Sequence, residues 1–307
     1  MIRRLLEPIF EPIFHKHSYG FRPRRGCHMA VEYILKLKAQ GYKYVLDADI
    51  KGFFDNIPHH VIMRMIAERV ADGNILTIVE KFLKAGVFED DQLKPTVSGT
   101  PQGGVVSQGD VSSPLIANIV LNRLDWALAN KGFKHVRYAD DFVVLCREYT
   151  HAEKALDLVK TVLNELGLTL SEEKTRLTSF KEGFDFLGFH LSSHSVSIRT
   201  KSIEKFKAKV RIITRRCHNL EMDVIRKLNW LIRGTAVYFN PPFATIRTQF
   251  LRFDEFVRKR IRMMKFKRIW HTDNYRMKNK HIRKLGLLFF EDFLTTSKHC
   301  VNSFPCN

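Results

Sequence analysis

Three aspartates are the residues of this sequence best suited to catalysis with bound metal ions. Asp49 lies in the apolar segment 44–50, and Asp140 and Asp141 follow 91 residues after it, between two apolar arms. Two Mg2+ ions held about 3.5–4 Å apart for phosphoryl transfer need carboxylates on rigid, neighbouring strands. Two adjacent aspartates at a hairpin turn are also ordinary turn chemistry, but an acid on an apolar strand is costly to bury without a cation. The three aspartates therefore predict a two-metal site.

The elements that must position these aspartates are a strand and a hairpin. Residues 44–50 are rich in β-formers, and Asp47 and Asp49, two residues apart, share one face of such a strand. Two β-rich arms, 135–138 and 142–145, flank Ala139-Asp140-Asp141, which predicts a hairpin with the acids at its turn. Elsewhere, helices are expected at 30–40, 59–85 (divided near 72–74), 113–130 and 151–166, and short strands at 168–170, 176–180 and 184–191. Hairpins interleaved with helices indicate an α+β fold.

Positive charge is concentrated in the last third of the sequence. The chain has 51 Lys and Arg against 32 Asp and Glu, a formal net charge of +19. Up to residue 194 there are 25 basic and 24 acidic residues, and after it 26 and 8. Residues 258–268 contain seven cations and no acid, which favours phosphate contact over a merely solvated basic helix. We expect two domains, 1–194 and a basic helical domain 195–307.

Several other classes of protein are excluded by composition. No window approaches the roughly 18–20 apolar residues of a membrane-spanning helix, so no membrane partner is expected. Glu7 and Pro8 interrupt any apolar stretch of an N-terminal signal peptide. Five cysteines without a CxxC pair argue against a disulfide framework and against a zinc site. The expected location is a reducing one, the bacterial cytoplasm or, in a eukaryote, an organellar matrix.

Five short motifs resemble the palm motifs of reverse transcriptases, and they occur in the same order: residues 49–55, 99–104, 113–119, 138–141 and 186–189. Residues 18–23 and 231–239 further resemble the reverse transcriptases and maturases encoded by group II introns. The resemblance implies a right-hand palm with partial fingers, followed by an all-α basic thumb with a maturase-like role. The sequence departs from the family pattern at both ends, from which we expect a fingers segment shortened at its N-terminus and no nuclease module.

The resemblance further implies the roles of the charged site residues. Asp49 and Asp140 are expected to be the principal ligands of two Mg2+ ions, which Mn2+ could replace, with Asp141 as a weaker or supporting ligand. Lys174 is expected to protonate the leaving pyrophosphate as a general acid. A lysine that follows two glutamates is, however, also typical of a solvated charge cluster.

Three more residues are expected to contact the nucleotide or the nucleic acid. A ring at Phe54 would clash with a ribonucleotide 2'-hydroxyl and select deoxynucleotides, although Phe53 and Phe54 could both be core residues. Arg22 would bind the triphosphate or the template backbone. Gly188 would let the primer backbone approach closely, or would be an ordinary turn glycine.

The motif glutamine of the family has two candidates. Gln102 lies in the complete string Gly-Thr-Pro-Gln-Gly-Gly, whereas Gln108 has the family's five-residue spacing to Ser113. From Gln102 to Ser113 there are eleven steps, so six residues, 107–112, are in excess. The complete Gly-Thr-Pro-Gln-Gly-Gly string favours Gln102 as the motif glutamine. The fixed spacing to the helix that starts at Ser113-Pro114 favours Gln108.

The predicted function is RNA-directed DNA synthesis by two-metal nucleotidyl transfer, with possible assistance to intron splicing. Its partners would be a template RNA or intron RNA, a DNA or RNA primer, and deoxynucleoside triphosphates. One alternative is a non-catalytic RNA-binding splicing factor with the palm as a scaffold, against which the three aspartates argue. Another is a related reverse transcriptase used in antiviral defence or in a guide-RNA system. No oligomeric state is predicted.

Overall fold

A computed structural model describes residues 2–84, 87–89, 92–94, 112–217, 219–268, 270 and 272–296. The chain forms two compact units, residues 1–184 and 185–307. Both candidate glutamines, Gln102 and Gln108, lie outside the described residues. Across the described ranges, no helix is long and apolar enough to cross a membrane.

The first unit combines a four-stranded antiparallel sheet with seven helices among its described residues. The helices are α1 (Ile2–Phe10), α2 (Cys27–Ala39), α3 (Phe53–Asn56), α4 (His59–Ala67), α5 (Gly73–Lys84), α6 (Ser112–Asn130) and α7 (Tyr149–Glu165). The strands are β1 (Tyr44–Ala48), β2 (Val87–Glu89), β3 (Gln92–Lys94), β4 (Lys134–Tyr138), β5 (Asp141–Cys146) and β6 (Arg176–Ser179). The sheet has the order β4-β5-β1-β6, and β2 and β3 form a separate pair.

The helix boundaries of this unit follow the local chemistry of the sequence. α2 confirms the helix expected at 30–40 and stops before Gly41, whose φ of +89° is a backbone conformation that favours glycine. The expected division near 72–74 separates α4 from α5. α7 ends shortly before Gly167, which has φ +70°. Glycines in the left-handed region therefore end helices where the sequence predicts.

The central strand is β1, which pairs with β5 on one side and with β6 on the other. Its Val45, Leu46 and Ala48 are buried, and the core beneath is built from α1 and α3–α7. Of the strand expected at 168–170, only an isolated bridge between Leu170 and Ile50 forms. That bridge continues the line of β1 and holds the chain after α7 against it.

The second unit is helical apart from a small sheet. Its described elements are β7 (Phe184–Phe186), which begins at the boundary, β8 (Phe189–Leu191), β9 (Val196–Ile198), α8 (Thr200–Ile213), α9 (Met222–Phe239), α10 (Arg247–Phe266), α11 (Asp273–Arg276), α12 (Asn279–Lys284) and α13 (Phe290–Thr296). The β-rich segment expected at 184–191 forms two strands, β7 and β8, on either side of a turn at Gly188. Leu187 and Gly188, with φ +48° and +85°, reverse the chain between them.

The boundary after Phe184 lies earlier than the expected 194, which would divide the β8–β9 hairpin. β9 belongs with the helices because Ile198 is part of their core. In addition, Gln249 on α10 pairs with the backbone of β9: its Oε1 accepts from Ile198 N at 2.8 Å, and its Nε2 donates to Ile198 O at 3.0 Å. The strands of this hairpin thus serve the helical unit.

Candidate active site

The β4–β5 hairpin places Asp140 beside the end of the central strand. Tyr138 pairs with Asp141, so Ala139 and Asp140 form a two-residue turn, in which Ala139 has φ +59°. The pairing of β1 with β5 runs as far as Ala48 opposite Phe142. Asp49, one residue further, therefore lies at the same end of the sheet as the turn. The predicted hairpin with acids at its turn is confirmed.

Lys174 also lies at this end of the sheet. Its Nζ donates to Oδ2 of Asp49 at 2.9 Å, although the two residues are 125 positions apart. The backbone establishes this contact, because Ser171 N donates to Asp49 O at 2.8 Å and Lys51 N donates to Thr169 O at 3.0 Å. The hydrogen bond and the charge of Asp49 raise the pKa of Lys174, which is largely exposed. Lys174 is thus a protonated donor beside the carboxylates.

The surroundings of Asp140 disfavour its charged form. Burial raises the pKa of Asp140, and the negative charge of Asp49 raises it further. Lys174 and Arg137 act in the opposite direction. A bound cation would favour the ionised form of Asp140. Asp141 is exposed and contributes negative charge near Lys174.

This donor set fits Mg2+, which prefers carboxylate oxygens and usually keeps several water or phosphate ligands. Where the structure describes the chain, no three His, Cys, Asp or Glu side chains come together as a metal cluster. Asp49 and Asp140 offer a pair of carboxylates at one end of the sheet.

The two neighbouring phenylalanines of α3 have different surroundings. Phe53 is 2% exposed and belongs to the core, whereas Phe54 is half-buried and packs against the edge of that core. Their rings are 5.2 Å apart between centroids and nearly perpendicular. Only Phe54 is thus placed where a small molecule could reach its ring.

Arg22 is used inside the first unit. It is 7% exposed, and its guanidinium donates to the carboxylate of Glu11 at 2.8 Å, to His15 O at 2.7 Å and to Ser18 O at 3.0 Å. A contact with a triphosphate would require Arg22 to leave these partners. In this structure it instead fixes the loop that leads into α2.

Gly188 lies in the tight turn between β7 and β8. A Cβ at this position would meet the ring of Phe239 at 3.4 Å and Oγ of Ser202 at 3.5 Å, and its φ of +85° already disfavours other residues. The turn and the helices of its own unit therefore account for a glycine here.

Some cationic side chains of 258–268 form hydrogen bonds within the second unit, and others are exposed to solvent. Arg260 donates to Oγ1 of Thr214 at 2.9 Å and to its carbonyl at 2.8 Å, and Arg262 donates to a backbone carbonyl at 2.9 Å. Lys259 and Lys265, by contrast, are exposed. Arg260 and Arg262 of the basic segment thus connect parts of the unit, as does Lys267, whose Nζ donates to Arg216 O at 2.6 Å, whereas Lys259 and Lys265 are exposed to solvent.

A second accessible surface lies on α9, and its residues were not among those predicted from the sequence. Five exposed residues at intervals of three or four share one face of the helix: Met222, Arg226, Trp230, Arg233 and Val237. Trp230 is 67% exposed. Aromatic and cationic side chains side by side are typical of surfaces that bind single-stranded nucleic acid. The signal was present in the sequence as a polar-aromatic stripe opposite Val224, Leu228 and Ile232.

Comparison with known families identifies the class of protein. Residues 1–191 match the family model "Reverse transcriptase (RNA-dependent DNA polymerase)", and residues 203–286 match the model "Group II intron, maturase-specific domain". The chain therefore belongs to the reverse transcriptase family, and within it to the group II intron reverse transcriptase/maturase type.

Individual relatives agree with this assignment. The group II intron-encoded protein LtrA of Lactococcus lactis subsp. cremoris is 31% identical over 258 residues, which cover 62% of this chain and 41% of the relative. Protein YkfC of Escherichia coli K12 is 30% identical over 225 residues, covering 61% of this chain and 58% of YkfC. The chain thus spans roughly half the length of these relatives.

A solved structure shares the fold. Telomerase from Candida tropicalis, solved in complex with a TWJ fragment of telomeric RNA, superposes with a TM-score of 0.51 at 14% identity, over 98% of this chain and 55% of the telomerase chain. The likeness supports the expected α+β, reverse transcriptase-like fold.

Proposed function

We propose that this chain copies RNA into DNA, as an RNA-directed DNA polymerase of the group II intron type. The observation that carries the proposal is the meeting of Asp140, in a tight turn, with Asp49 and its partner Lys174 at one end of the sheet. The first unit, 1–184, would be the polymerase domain. Its substrates would be deoxynucleoside triphosphates and a primer annealed to an RNA template.

Asp49 and Asp140, with Asp141 in support, would hold two Mg2+ ions, which Mn2+ could replace. Mg2+ bound there would activate the primer 3'-hydroxyl and offset the charge of the triphosphate. Lys174, held by Asp49, would give its proton to the leaving pyrophosphate and regain one from solvent. Phe54 would exclude the ribose 2'-hydroxyl.

Primer extension on an RNA template with Mg2+ tests this function. We expect the parent to extend the primer, and Asp140→Asn and Asp49→Asn each to abolish extension while RNA binding is retained. Asp55→Asn is the matched control, because Asp55 lies in α3 beyond the strand and is exposed. Extension at the parental rate by either Asp140→Asn or Asp49→Asn would exclude the two-metal assignment.

We also propose that the second unit binds intron RNA and assists splicing. The match of residues 203–286 to a maturase-specific domain supports this, as does the excess of 26 Lys and Arg over nine Asp and Glu from residue 185 onwards. The bacterial cytoplasm or an organellar matrix would be the place of both activities. An intron RNA that flanks the coding sequence should splice faster at low Mg2+ with the protein than without it, and an unchanged rate would contradict the proposal.

A further inference from the structure

The turn that carries Asp140 has a conformation that needs support. Ala139 has a Cβ, yet its φ of +59° lies in the left-handed region, which alanine rarely occupies. Such a residue keeps this conformation only when its surroundings hold it there. In this structure, Ala139 is 5% exposed and is contacted from two sides.

The first support is the side chain of Arg137, which is completely buried. Its Nη1 donates to the carbonyl oxygen of Ala139 at 2.9 Å and to Oδ1 of Asn118 at 2.8 Å. Its Nε and Nη2 form a bidentate pair with Asp125 on α6, at 2.8 and 2.6 Å. The guanidinium therefore ties the turn to a rigid helix.

The second support is the backbone of Gly20. A Cβ on this residue would overlap the nitrogen of Ala139 and lie 2.9 Å from the carbonyl carbon of Tyr138. The position is fixed, because Asn118 Nδ2 donates to Gly20 O at 2.9 Å. Hydrogen bonds between residues 17–19 and Arg137, at 2.8 and 3.0 Å, hold the same segment beside β4.

Asn118 joins the two supports, because its amide accepts from Arg137 and donates to Gly20. We propose that Arg137 and Gly20 are positioning residues, which hold the Ala139–Asp140 turn so that the Asp140 carboxylate faces Asp49. The proposal rests on the function proposed above, and neither residue touches substrate. It extends the site to a part of the chain, residues 17–20, that is remote in sequence from every aspartate.

Gly20→Ala is the most direct test. The backbone of Gly20 is not in the left-handed region, so alanine fits its φ and the added methyl group acts through its overlap with the turn. Gly26→Ala is the matched control, since a Cβ at Gly26 meets nothing within 4 Å. We expect Gly20→Ala to lower kcat on the order of 10²-fold, because small misplacements of a reacting group cost this much.

A positioning role also predicts what does not change. Kd for the RNA template should stay within about twofold of the parent, since neither Gly20 nor Arg137 touches the nucleic acid and only an interaction with the reacting groups is lost. Arg137→Lys should likewise keep template affinity and lose kcat, because one ammonium group has no planar fork to join Ala139, Asn118 and Asp125. If Gly20→Ala fails to fold, Arg137→Lys and Asn118→Ala provide the same comparison.

Two results would overturn the proposal: parental kcat in both Gly20→Ala and Arg137→Lys, or a parallel loss of kcat, template affinity and thermal midpoint in both. A second measurement separates it from the proposed function. Mn2+ binding, followed by electron paramagnetic resonance without substrates, should be weakened by Asp140→Asn and Gly20→Ala and unchanged by Gly26→Ala. A parent that binds Mn2+ but extends no primer would refute only the polymerase function. A parent without Asp140-dependent Mn2+ binding would refute both.

Discussion

At the scale of single residues, adjacent positions in α3 have different surroundings. Phe53 is in the core and Phe54 is at its edge, with the two rings in contact. Asp47 and Asp49 likewise have different partners. Asp49 accepts a hydrogen bond from Lys174, whereas Oδ2 of Asp47 lies 3.3 Å from Nε of Arg176. Neighbours on one strand or helix therefore have to be tested individually.

Phe54→Ala should admit ribonucleotides, because the ring that would meet the 2'-hydroxyl is removed. Incorporation of ribonucleotides, measured by alkaline cleavage of the product, should rise while the thermal midpoint changes little. Phe53→Ala is the control: it should cost about 3–5 kcal/mol of folding free energy, as for other buried aromatic residues, without changing sugar selection. Unchanged ribonucleotide incorporation by Phe54→Ala would place the selecting residue elsewhere.

At the scale of elements, the segment between α1 and α2 packs against β4 through histidines. His15 and His135 have ring centroids 4.7 Å apart, and His17 stacks on Tyr33 at 3.7 Å. Burial, together with the charges of the neighbouring histidines, lowers the pKa of His15 to about 4 and that of His17 to about 3. These rings are therefore neutral at pH 7, and they line the segment that reaches Gly20.

The stability of the first unit should depend on pH through these histidines. Their folded-state pKa values lie below the unfolded value of about 6.5, so the unfolded chain takes up protons first as the pH falls. The free energy of unfolding should therefore be highest above pH 6.5 and decrease towards pH 4. His17→Phe preserves the stacking on Tyr33 and removes one titrating group, so its denaturation midpoint should decrease less between pH 7 and pH 5. An equal decrease in parent and variant would contradict the assignment.

Loss of charge at the neighbouring residues Lys259 and Arg260 of α10 should change different properties: RNA affinity for Lys259 and thermal stability for Arg260. Lys259→Met should lower RNA affinity and reduce the salt slope by about 0.7–0.9 if one phosphate contact is lost. Arg260→Met should instead lower the thermal midpoint, because it removes the hydrogen bonds to Thr214. Titrations at several salt concentrations, together with thermal unfolding of both variants, check this. A larger salt effect for Arg260→Met would reverse the assignment.

Local patterns predicted the helices, the hairpin and their glycine ends, because each depends on residues close together in the chain. They did not predict the partners of Arg22 or the approach of Gly20 to Ala139, which depend on contacts across the fold. The family resemblance implied a role for Lys174 at the site, but its contact with Asp49 was not predicted. The basic segment was predicted as one phosphate-binding surface, since composition does not distinguish Arg260, turned inward, from the exposed Lys259.

At the scale of the whole molecule, each unit has its own core. The first is centred on β1 and α6, and the second on α8, α9 and α10. The two units also differ in net charge. Residues 185–307 hold 26 of the 51 Lys and Arg but only nine of the 32 Asp and Glu, so most of the positive net charge lies in the second unit. Nucleic-acid affinity should therefore be a property chiefly of the second unit.

A fragment of residues 1–184 should fold and should lose most of the RNA affinity. Its binding should also depend less on salt, because fewer cations remain to release counterions. Filter binding at 50–200 mM salt compares the fragment with the full chain, and circular dichroism checks that it is folded. A folded fragment with the salt slope of the full chain would place the RNA on the first unit instead.

The position of β1 in the sheet has a consequence for biosynthesis. Both neighbours of this central strand come far later in the chain, since β5 begins at Asp141 and β6 at Arg176. At roughly 5–20 residues per second, the nascent strand waits on the order of ten seconds on the ribosome with both edges unpaired. Charged residues in and beside an exposed strand oppose its association with other chains. We therefore expect Asp47 and Asp49 to oppose aggregation of the polypeptide before they contact Arg176 and Lys174, so that neutralising both aspartates reduces the soluble yield even if the folded protein is stable.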